Sequence, residues 1–278
     1  MTGVSLALVL SAAVIHASWN LLAKRARDPF TFLWLATALA MTWLVPLALA
    51  FQPATVLDVL PAAGVSALVH GLYFGTLGEA YREGDLSRVY PIARGLGVAL
   101  APALAMAWTS VVPAPLAATG IGLVVISIAS LATGAAGPRP SRRAPVLAIA
   151  TGVLVATYSV VDHGGVARAS PIPYLAATNA GALVVSAPFV WRRREALQRA
   201  WREERRPLAG AACLSVTGYL LVLYAFRASP ASYVVAMRET SIVVAALFGR
   251  FLLHEPVSPR RGAAALGIVA GAVAIALA

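Results

Sequence analysis

The sequence predicts an all-α integral membrane protein with ten transmembrane helices, arranged as two inverted five-helix repeats. The chain of 278 residues is 60% hydrophobic and only 12% charged, with a mean hydropathy of +0.80, whereas soluble proteins carry roughly 25% charged residues. Its long runs of alanine, leucine and valine suit membrane-spanning helices, which satisfy their own backbone polar groups. An internal repeat divides the chain into two halves.

Ten apolar segments have about the length that a helix needs to cross a bilayer, roughly 20 residues. The predicted spans cover residues 3–22, 30–51, 60–80, 91–111, 114–133, 145–162, 172–190, 208–226, 232–253 and 262–277. Every loop is too short for a soluble domain, so the first repeat (residues 1–135) and the second repeat (residues 145–278) together form one membrane domain. The first span lacks a basic segment before it, and we therefore expect no cleaved signal peptide.

Positive charge is distributed unevenly among the predicted loops. Of the 22 lysine and arginine residues, 18 fall in odd-numbered loops or, as Arg250 does, close to one, whereas the even-numbered loops hold only Arg168 and Arg227. Because positive loops remain in the cytoplasm, we expect both termini to lie outside. The basic residues are scattered over short loops and do not predict nucleic-acid binding. The preponderance of arginine over lysine suggests a GC-rich bacterial genome, and hence the bacterial cytoplasmic (inner) membrane.

The longest loop, residues 191–206, predicts a short interfacial helix. Leu197 and Trp201 are four residues apart, and Glu195 precedes Arg199 by four, which places each pair on one helical face. We favour an anchor that sets the topology over a sensor of anionic lipid.

The two halves of the chain echo each other at an offset of 139 to 145 residues. Residues 17–22 correspond to 156–161, and residues 80–87 to 225–232. Each repeat contains five spans, an odd number, so the halves must enter the membrane in opposite directions. This plan is typical of secondary transporters, whose binding sites lie near the midplane between the halves.

Spans five and ten carry small residues at every fourth position, and such rows let helix backbones approach closely. The rows are Ala114, Ala118, Gly122 and Ala263, Gly267, Gly271. We expect these spans to act as a scaffold. The protein is then a monomer or, as the alternative, a homodimer through spans five and ten.

Arg94 in span four and Arg238 in span nine occupy equivalent positions in the two repeats. An ionisable side chain at this depth is costly unless it faces the bundle interior or a wet cavity. Because the arginine fork suits carboxylate and phosphate groups, two such residues predict a site for an anionic or zwitterionic substrate. The alternative is that each arginine bonds helix-end carbonyl groups or pairs with an acid.

Glu239 follows Arg238 directly and points about 100° away from it around a helix. It is the candidate for proton coupling, because a carboxyl group held in a helix bundle can exchange protons near neutral pH. It is also a candidate to bind a substrate ammonium group. The alternative is an ion pair with Arg94.

Further polar side chains within the spans are candidates to line the same cavity. These are His16, Trp19, Asn20, His70, Tyr73, Tyr158, Asn179 and Tyr224, together with Thr217 and Tyr219 in span eight. For each, the alternative is an ordinary interhelical hydrogen bond, and Trp19 also suits a membrane-interface anchor. Glu79, Asp85 and Asp162 lie near predicted span ends, where we expect solvated or loop roles.

No cofactor or metal is predicted. The four histidines are scattered over different spans and loops, and the lone Cys213 lies in an apolar run where packing is the expected role. Since no phosphate-binding loop and no catalytic triad spacing occur, the sequence favours neither ATP-driven transport nor an enzyme.

Four segments of the sequence, residues 16–20, 83–95, 232–241 and 252–256, resemble the EamA family of the drug/metabolite transporter superfamily. The resemblance covers essentially the whole chain and implies a secondary transporter with a central cavity lined by spans one to four and six to nine. In one respect the chain departs from the family, because many members are described with cytoplasmic termini.

We therefore expect alternating-access transport of a small organic metabolite. An amino-acid-like or carboxylated solute, export and coupling to protons are favoured. The alternatives are a flippase for lipid or lipid-linked substrates and a membrane-embedded enzyme. The expected partners are the solute and membrane lipids.

Overall fold

The computed structural model describes residues 1–51, 59–83, 86–110, 112–132, 143–252 and 258–278. Within these ranges the chain forms twelve α-helices and no strand. The helices are α1 (Gly3–Arg25), α2 (Pro29–Phe51), α3 (Leu60–Glu83), α4 (Leu86–Thr109), α5 (Pro115–Ala132), α6 (Arg143–Arg168), α7 (Pro171–Trp191), α8 (Arg194–Glu203), α9 (Arg205–Phe226), α10 (Ala231–Arg238), α11 (Thr240–Leu252) and α12 (Pro259–Leu277). Asp85 and residues 253–256 of the resembling segments lie outside the described residues.

Eight helical segments among the described residues are long and apolar enough to cross a membrane, judged by length and composition. One of them, Ala231–Phe248, includes α10 and the first part of α11. Two shorter apolar segments, Ile92–Trp108 in α4 and Pro115–Leu131 in α5, accompany these eight. The prediction of an all-α membrane protein is confirmed.

Polar side chains at loop positions start several of the helices. The Thr2 hydroxyl accepts a hydrogen bond from the Ser5 backbone N–H at 3.2 Å, and the Ser258 hydroxyl accepts one from Arg261 at 3.3 Å. The Asp28 carboxylate accepts from the Thr31 N–H at 3.0 Å, directly before the proline that begins α2. Such caps satisfy backbone donors that the first helical turn leaves free.

The predicted interfacial helix in the loop 191–206 is present as α8. Ala200 is buried and Leu197 is half-buried against the protein, while Trp201 is 46% exposed. The helix packs against α2, α7 and α9. The i,i+4 spacing therefore located this helix, although the side chain of Trp201 lies on the outer surface.

The predicted ninth span is divided in the structure, because α10 ends at Arg238 and α11 begins at Thr240. The Glu239 N–H donates to the Ala236 carbonyl at 3.1 Å, and the Glu239 carbonyl accepts from the Ile242 N–H at 2.9 Å. Both are three-residue bonds, which tighten the backbone at this point. The sequence could not show this break, since residues 232–253 contain no glycine or proline near Glu239.

The short helix α10 is the most enclosed element. All its residues, from Ala231 to Arg238, are buried, and it contacts α1, α4, α5, α6, α9, α11 and α12. Around it, α6 packs against α3 and α4, α1 packs against α9, and α2 and α7 lie together. The end of α10 thus places Arg238 and Glu239 inside the main hydrophobic core.

Helices α5 and α12 pack against each other within the chain. A Cβ atom at Gly120 or at Gly271 would lie only 2.6 Å from the carbonyl oxygen of the other residue. By contrast Ala118 is exposed, and a Cβ at Gly122 would meet nothing within 4 Å. In α5 the contact with α12 is therefore made by Gly120, and Ala118 and Gly122 of the predicted row take no part in it. The homodimer through these helices stays a prediction.

We expect Gly120→Ala to lower the free energy of unfolding by about 1–3 kcal/mol, because the added methyl group overpacks the contact with α12. Gly122→Ala, in the same helix but on the open face, should leave stability unchanged or raise it by up to about 1 kcal/mol through helix propensity. Thermal unfolding of both variants in detergent measures the difference. Equal effects of the two substitutions would show that α5 and α12 do not meet as described.

Candidate functional site

A buried ion pair joins α4 to the junction of α10 and α11. The Arg94 guanidinium donates from Nε to Oε2 of Glu239 at 3.1 Å, and from Nη2 to Oε1. Both residues are buried, Arg94 at 6% and Glu239 at 1% exposure. Of the roles considered for Glu239 from the sequence, the structure shows the ion pair with Arg94. The charge of Arg94 is thereby neutralised, and the Glu239 carboxylate is held by a two-point contact.

Arg238 precedes Glu239 in the chain but points elsewhere. Its guanidinium lies over the Tyr219 ring, 5.5 Å from the ring centroid, and the residue is 7% exposed. Within the described residues it forms no ion pair with a carboxylate and no side-chain hydrogen bond. A cation–π contact contributes about 0.5–2 kcal/mol, far less than the hydration that a buried guanidinium loses. Arg238 therefore carries a positive charge that this part of the protein does not balance.

Asp162 is buried inside the bundle, whereas the sequence predicted a position near a span end. The predicted sixth span ended at this residue, but α6 continues to Arg168, and Asp162 is fully buried. Its Oδ1 accepts hydrogen bonds from Ser66 at 2.5 Å and Tyr174 at 2.8 Å, and its Oδ2 accepts one from Tyr219. The expected solvated role of Asp162 is therefore wrong.

Two features of the sequence point toward Asp162 in hindsight. It follows Tyr158 by four residues, which places both on one face of α6. Gly165, one turn further, gives the Tyr174 ring room to approach, since a Cβ at this position would overlap the ring.

An aromatic cluster, formed by His70, Tyr73, Tyr158 and Tyr219, adjoins the Asp162 carboxylate. The His70 ring lies 4.2 Å from the Tyr158 ring and 5.8 Å from the Tyr219 ring, centroid to centroid. Tyr73 contacts Tyr158 at 5.6 Å. Because Tyr219 touches both Asp162 and Arg238, the cluster connects these two buried residues. Among the described residues, neither of them forms an ion pair with a permanently charged side chain.

The other residues that were predicted to line the cavity lie in different surroundings. His16 packs edge-on against Trp19 at 4.7 Å and lies close enough to Arg94 and Arg238 to experience their charges. The Asn20 amide donates to the His16 carbonyl at 2.7 Å, so its donor is used locally. Asn179 on α7 is half-buried, and Tyr224 on α9 is 37% exposed.

Tyr224 lies away from the cluster for a geometric reason. It follows Tyr219 by five residues, or about 140° around the helix, so only one of the two can face Asp162. Among the described side chains, neither Tyr224 nor Asn179 forms a hydrogen bond or ring contact with the cluster.

A second polar cluster, the Arg193 bridge, lies where the α1–α2 loop, α3 and the α7–α8 turn meet. Arg193 Nη1 is 3.3 Å from Asp28 Oδ2, and its Nη2 is 3.7 Å from Glu79 Oε1. The guanidinium also lies 5.2 Å from the centre of the Phe30 ring. Cavities of about 810 and 270 Å³ flank the bridge, and neither is lined by a residue of the buried Arg94, Arg238 or Asp162 groups.

Within the described ranges, no three histidine, cysteine or acidic side chains are grouped so that they could hold a metal ion. Cys213 on α9 is exposed, so the packing role expected for it is wrong.

We expect Glu239→Gln to lower the free energy of unfolding by about 3–5 kcal/mol, because it leaves the Arg94 charge buried without its partner. A double variant, Arg94→Met with Glu239→Gln, removes both charges and should recover most of that loss. Thermal unfolding of the single and double variants in detergent measures this coupling. If the double variant is no more stable than either single one, the pair does not act as a unit.

Comparison with known proteins identifies the family. Residues 142–277, which include α6 to α12, match the model of the EamA-like transporter family. No curated protein sequence matches the chain. The fold is similar to that of a crystal structure described only as that of a protein, with a TM-score of 0.73 and 15% identity, over 100% of this chain and 98% of the other. That likeness establishes the fold alone.

The family match begins in the second half of the chain, so the resemblance of the first half to the same family stays a prediction. For the matched half, the family suggested by residues 232–241 is confirmed. With its apolar helices, the protein is an integral membrane protein, and its residues 142–277 match the EamA-like transporter family.

Proposed function

We propose that the protein is a secondary transporter of a small organic solute that carries a carboxylate, with an amino-acid-like solute favoured. The observation that carries this proposal is the contrast between its two buried arginines. Arg94 is neutralised by Glu239, whereas Arg238 faces no carboxylate among the described residues. A buried, unbalanced guanidinium is a suitable partner for a carboxylate that arrives from solution.

The solute site that we propose is built around Arg238 and the aromatic cluster. The proposed binding residues are Arg94, Arg238, Glu239, His16, Trp19, Asn20, His70, Tyr73, Tyr158, Asn179 and Tyr224. Arg238, Tyr158, Tyr73 and His70 are supported by their mutual contacts. Asn179 and Tyr224 belong to the site only if the helices rearrange during transport.

Alternating access between two inverted five-helix repeats, with ten spans in all, is part of this proposal. In this plan α1 corresponds to α6, α2 to α7 and α3 to α9. The α10–α11 pair is the equivalent of α4, and α12 is the equivalent of α5. The pairing of helices supports it: α1 packs against α9 as α6 packs against α3, and α2 packs against α9 as α7 packs against α3. Contacts of α1 with α10 and α11 likewise match those of α6 with α4.

The orientation rests on the distribution of positive charge, which favours termini outside and odd-numbered loops in the cytoplasm of a bacterium. Export is the direction that we favour. The α5–α12 pair remains the surface through which we propose that a homodimer would form, with a monomer as the alternative.

The Arg193 bridge is suited to closing the cytoplasmic end of such a transporter. It ties the α1–α2 loop and α3, in the first half, to the α7–α8 turn in the second half. Arg27 adds a contact of the same kind with Glu203, at 3.0 Å. Opening at this end requires these partly exposed ion pairs to separate, which costs little, about 0.2–1 kcal/mol for each.

Binding of a carboxylated solute should raise the melting temperature of the purified protein in detergent. The screen tests amino acids, carboxylates, sugars, amines and nucleosides. A solute at 100 times its dissociation constant adds about 2.7 kcal/mol of stability. Arg238→Gln should abolish the response of the solute that binds. Arg250→Gln removes an exposed arginine from α11 and should retain it.

A response that a folded Arg238→Gln variant keeps in full would show that Arg238 is not the carboxylate partner. A response confined to sugars or amines would overturn the proposed substrate class. A response to phospholipid alone would favour the flippase alternative.

We expect Arg193→Gln to open the cytoplasmic end more often. Gly75 lines the 270 Å³ cavity beside Arg193, so Gly75→Cys in a Cys213→Ser background reports on access from this end. Labelling with a water-soluble thiol reagent should be about fivefold faster when two weak ion pairs are lost. Arg199→Gln, an exposed arginine without an acidic partner in the described region, serves as the control. Equal labelling rates for the two arginine variants would exclude the Arg193 bridge as a closing contact.

A further inference from the structure

The Asp162 carboxylate is buried without a permanently charged partner. Its three hydrogen-bond donors, Ser66, Tyr174 and Tyr219, are all neutral hydroxyl groups. Within the described residues, the one basic side chain within ion-pair distance is His70, whose Nε2 lies 3.9 Å from Oδ2 of Asp162. A carboxylate in such surroundings can be either ionised or protonated, because hydroxyl groups support both states.

The hydrogen bonds of His70 determine which of its ring nitrogens can take a proton. Its Nδ1 lies 3.0 Å from the Ser66 carbonyl oxygen and 3.1 Å from the Ser66 hydroxyl oxygen. A carbonyl oxygen only accepts, and the Ser66 hydroxyl hydrogen is donated to Asp162. Nδ1 therefore carries the hydrogen of the neutral ring, and the lone pair on Nε2 is directed to the side of Asp162.

We propose that Asp162 and His70 together bind one proton and form the proton-coupling site of the protein. The proton resides on Oδ2 of Asp162 and is donated to Nε2 of His70. The 3.9 Å gap between these two atoms needs to close by about 1 Å for a direct hydrogen bond. This inference rests on the proposed transport function and names its coupling ion.

Asp162 replaces Glu239, the residue that the sequence favoured for this role. Glu239 accepts two hydrogen bonds from the Arg94 guanidinium, which stays charged at any physiological pH. Protonation of Glu239 would leave that buried charge without the carboxylate that accepts its two hydrogen bonds. Protonation of Asp162 leaves no such charge behind, since its hydrogen-bond donors are neutral.

Tyr219 connects the proton site to the proposed solute site. Its hydroxyl donates to Oδ2 of Asp162 while the face of its ring contacts the Arg238 guanidinium. A proton on Oδ2 competes with this hydrogen bond, so gain or loss of the proton alters the support of Arg238. In this way one proton changes the affinity of the site for a carboxylate, and by reciprocity a bound carboxylate changes the affinity for the proton.

Other titratable or charged groups lie on the helices that carry the pair and on helices packed against them. They are Tyr73 on α3, Arg94 on α4, Tyr158 and His163 on α6, Tyr174 on α7, Tyr219 on α9, and Arg238 and Glu239 at the end of α10. Glu239 is the other carboxylic acid among them, so an experiment must distinguish Asp162 from Glu239.

Infrared difference spectroscopy of the purified protein makes this distinction without a solute. We expect a carboxylic acid C=O band to appear when the pH of the sample is lowered. Isotope-labelled aspartate should shift the band, and isotope-labelled glutamate should not. Asp162→Asn should remove the band, whereas Asp28→Asn, a substitution in the α1–α2 loop, should retain it.

His70→Gln tests the partner and guards against a misfolded Asp162 variant. With one proton-accepting site left, the titration midpoint should move to lower pH, because a shared proton is held more tightly than one on a single group. An unchanged midpoint would exclude His70 from the pair. A band that shifts with labelled glutamate, or no titrating aspartate band in the wild type, would overturn the proposal.

The two proposals fail separately. If the solute screen yields no carboxylated ligand but the aspartate band titrates, the transport assignment fails and the proton site stands. If a solute binds and no aspartate titrates, the transport assignment stands and Asp162 is not its coupling residue.

Discussion

The structure depends on the way in which four ionisable side chains are held inside an apolar helix bundle. Arg94 and Glu239 neutralise each other through a two-point contact that joins helices 145 positions apart in the chain. Removing either partner leaves a buried charge, so the pair constrains α4 and α10 to remain together. Because α10 contacts helices from both halves, this one ion pair lies at the centre of the packing.

The other two ionisable residues, Arg238 and Asp162, lack a partner of this kind and are connected through Tyr219 instead. A buried charge with incomplete compensation costs stability, and functional sites are where such costs are commonly found. The break between α10 and α11 makes this division of roles possible. It directs Glu239 toward Arg94 while Arg238 turns toward the Tyr219 ring, so two adjacent residues lie in different surroundings.

The central site and the Arg193 bridge differ in the strength of the contacts that hold them. The central ion pair is fully enclosed, and its loss is costly. The Arg193 contacts are partly exposed, with side-chain exposures of 26% for Arg193 and 27% for Asp28, and exposed ion pairs contribute little. A rigid centre with weakly held contacts at one end suits the rocking motion that we propose.

Local patterns in the sequence determined the membrane class, the helical content, the amphipathic α8 and the burial of Arg94 and Arg238, because hydropathy and helical periodicity act within about 20 residues. Tertiary structure decided which groups meet. It paired Glu239 with Arg94, broke the helix at Glu239, extended α6 so that Asp162 became buried, and brought Gly120 rather than Gly122 against α12. Each of these outcomes depends on contacts between residues distant in the chain, and on helix rotation and side-chain direction, which a single sequence does not encode locally.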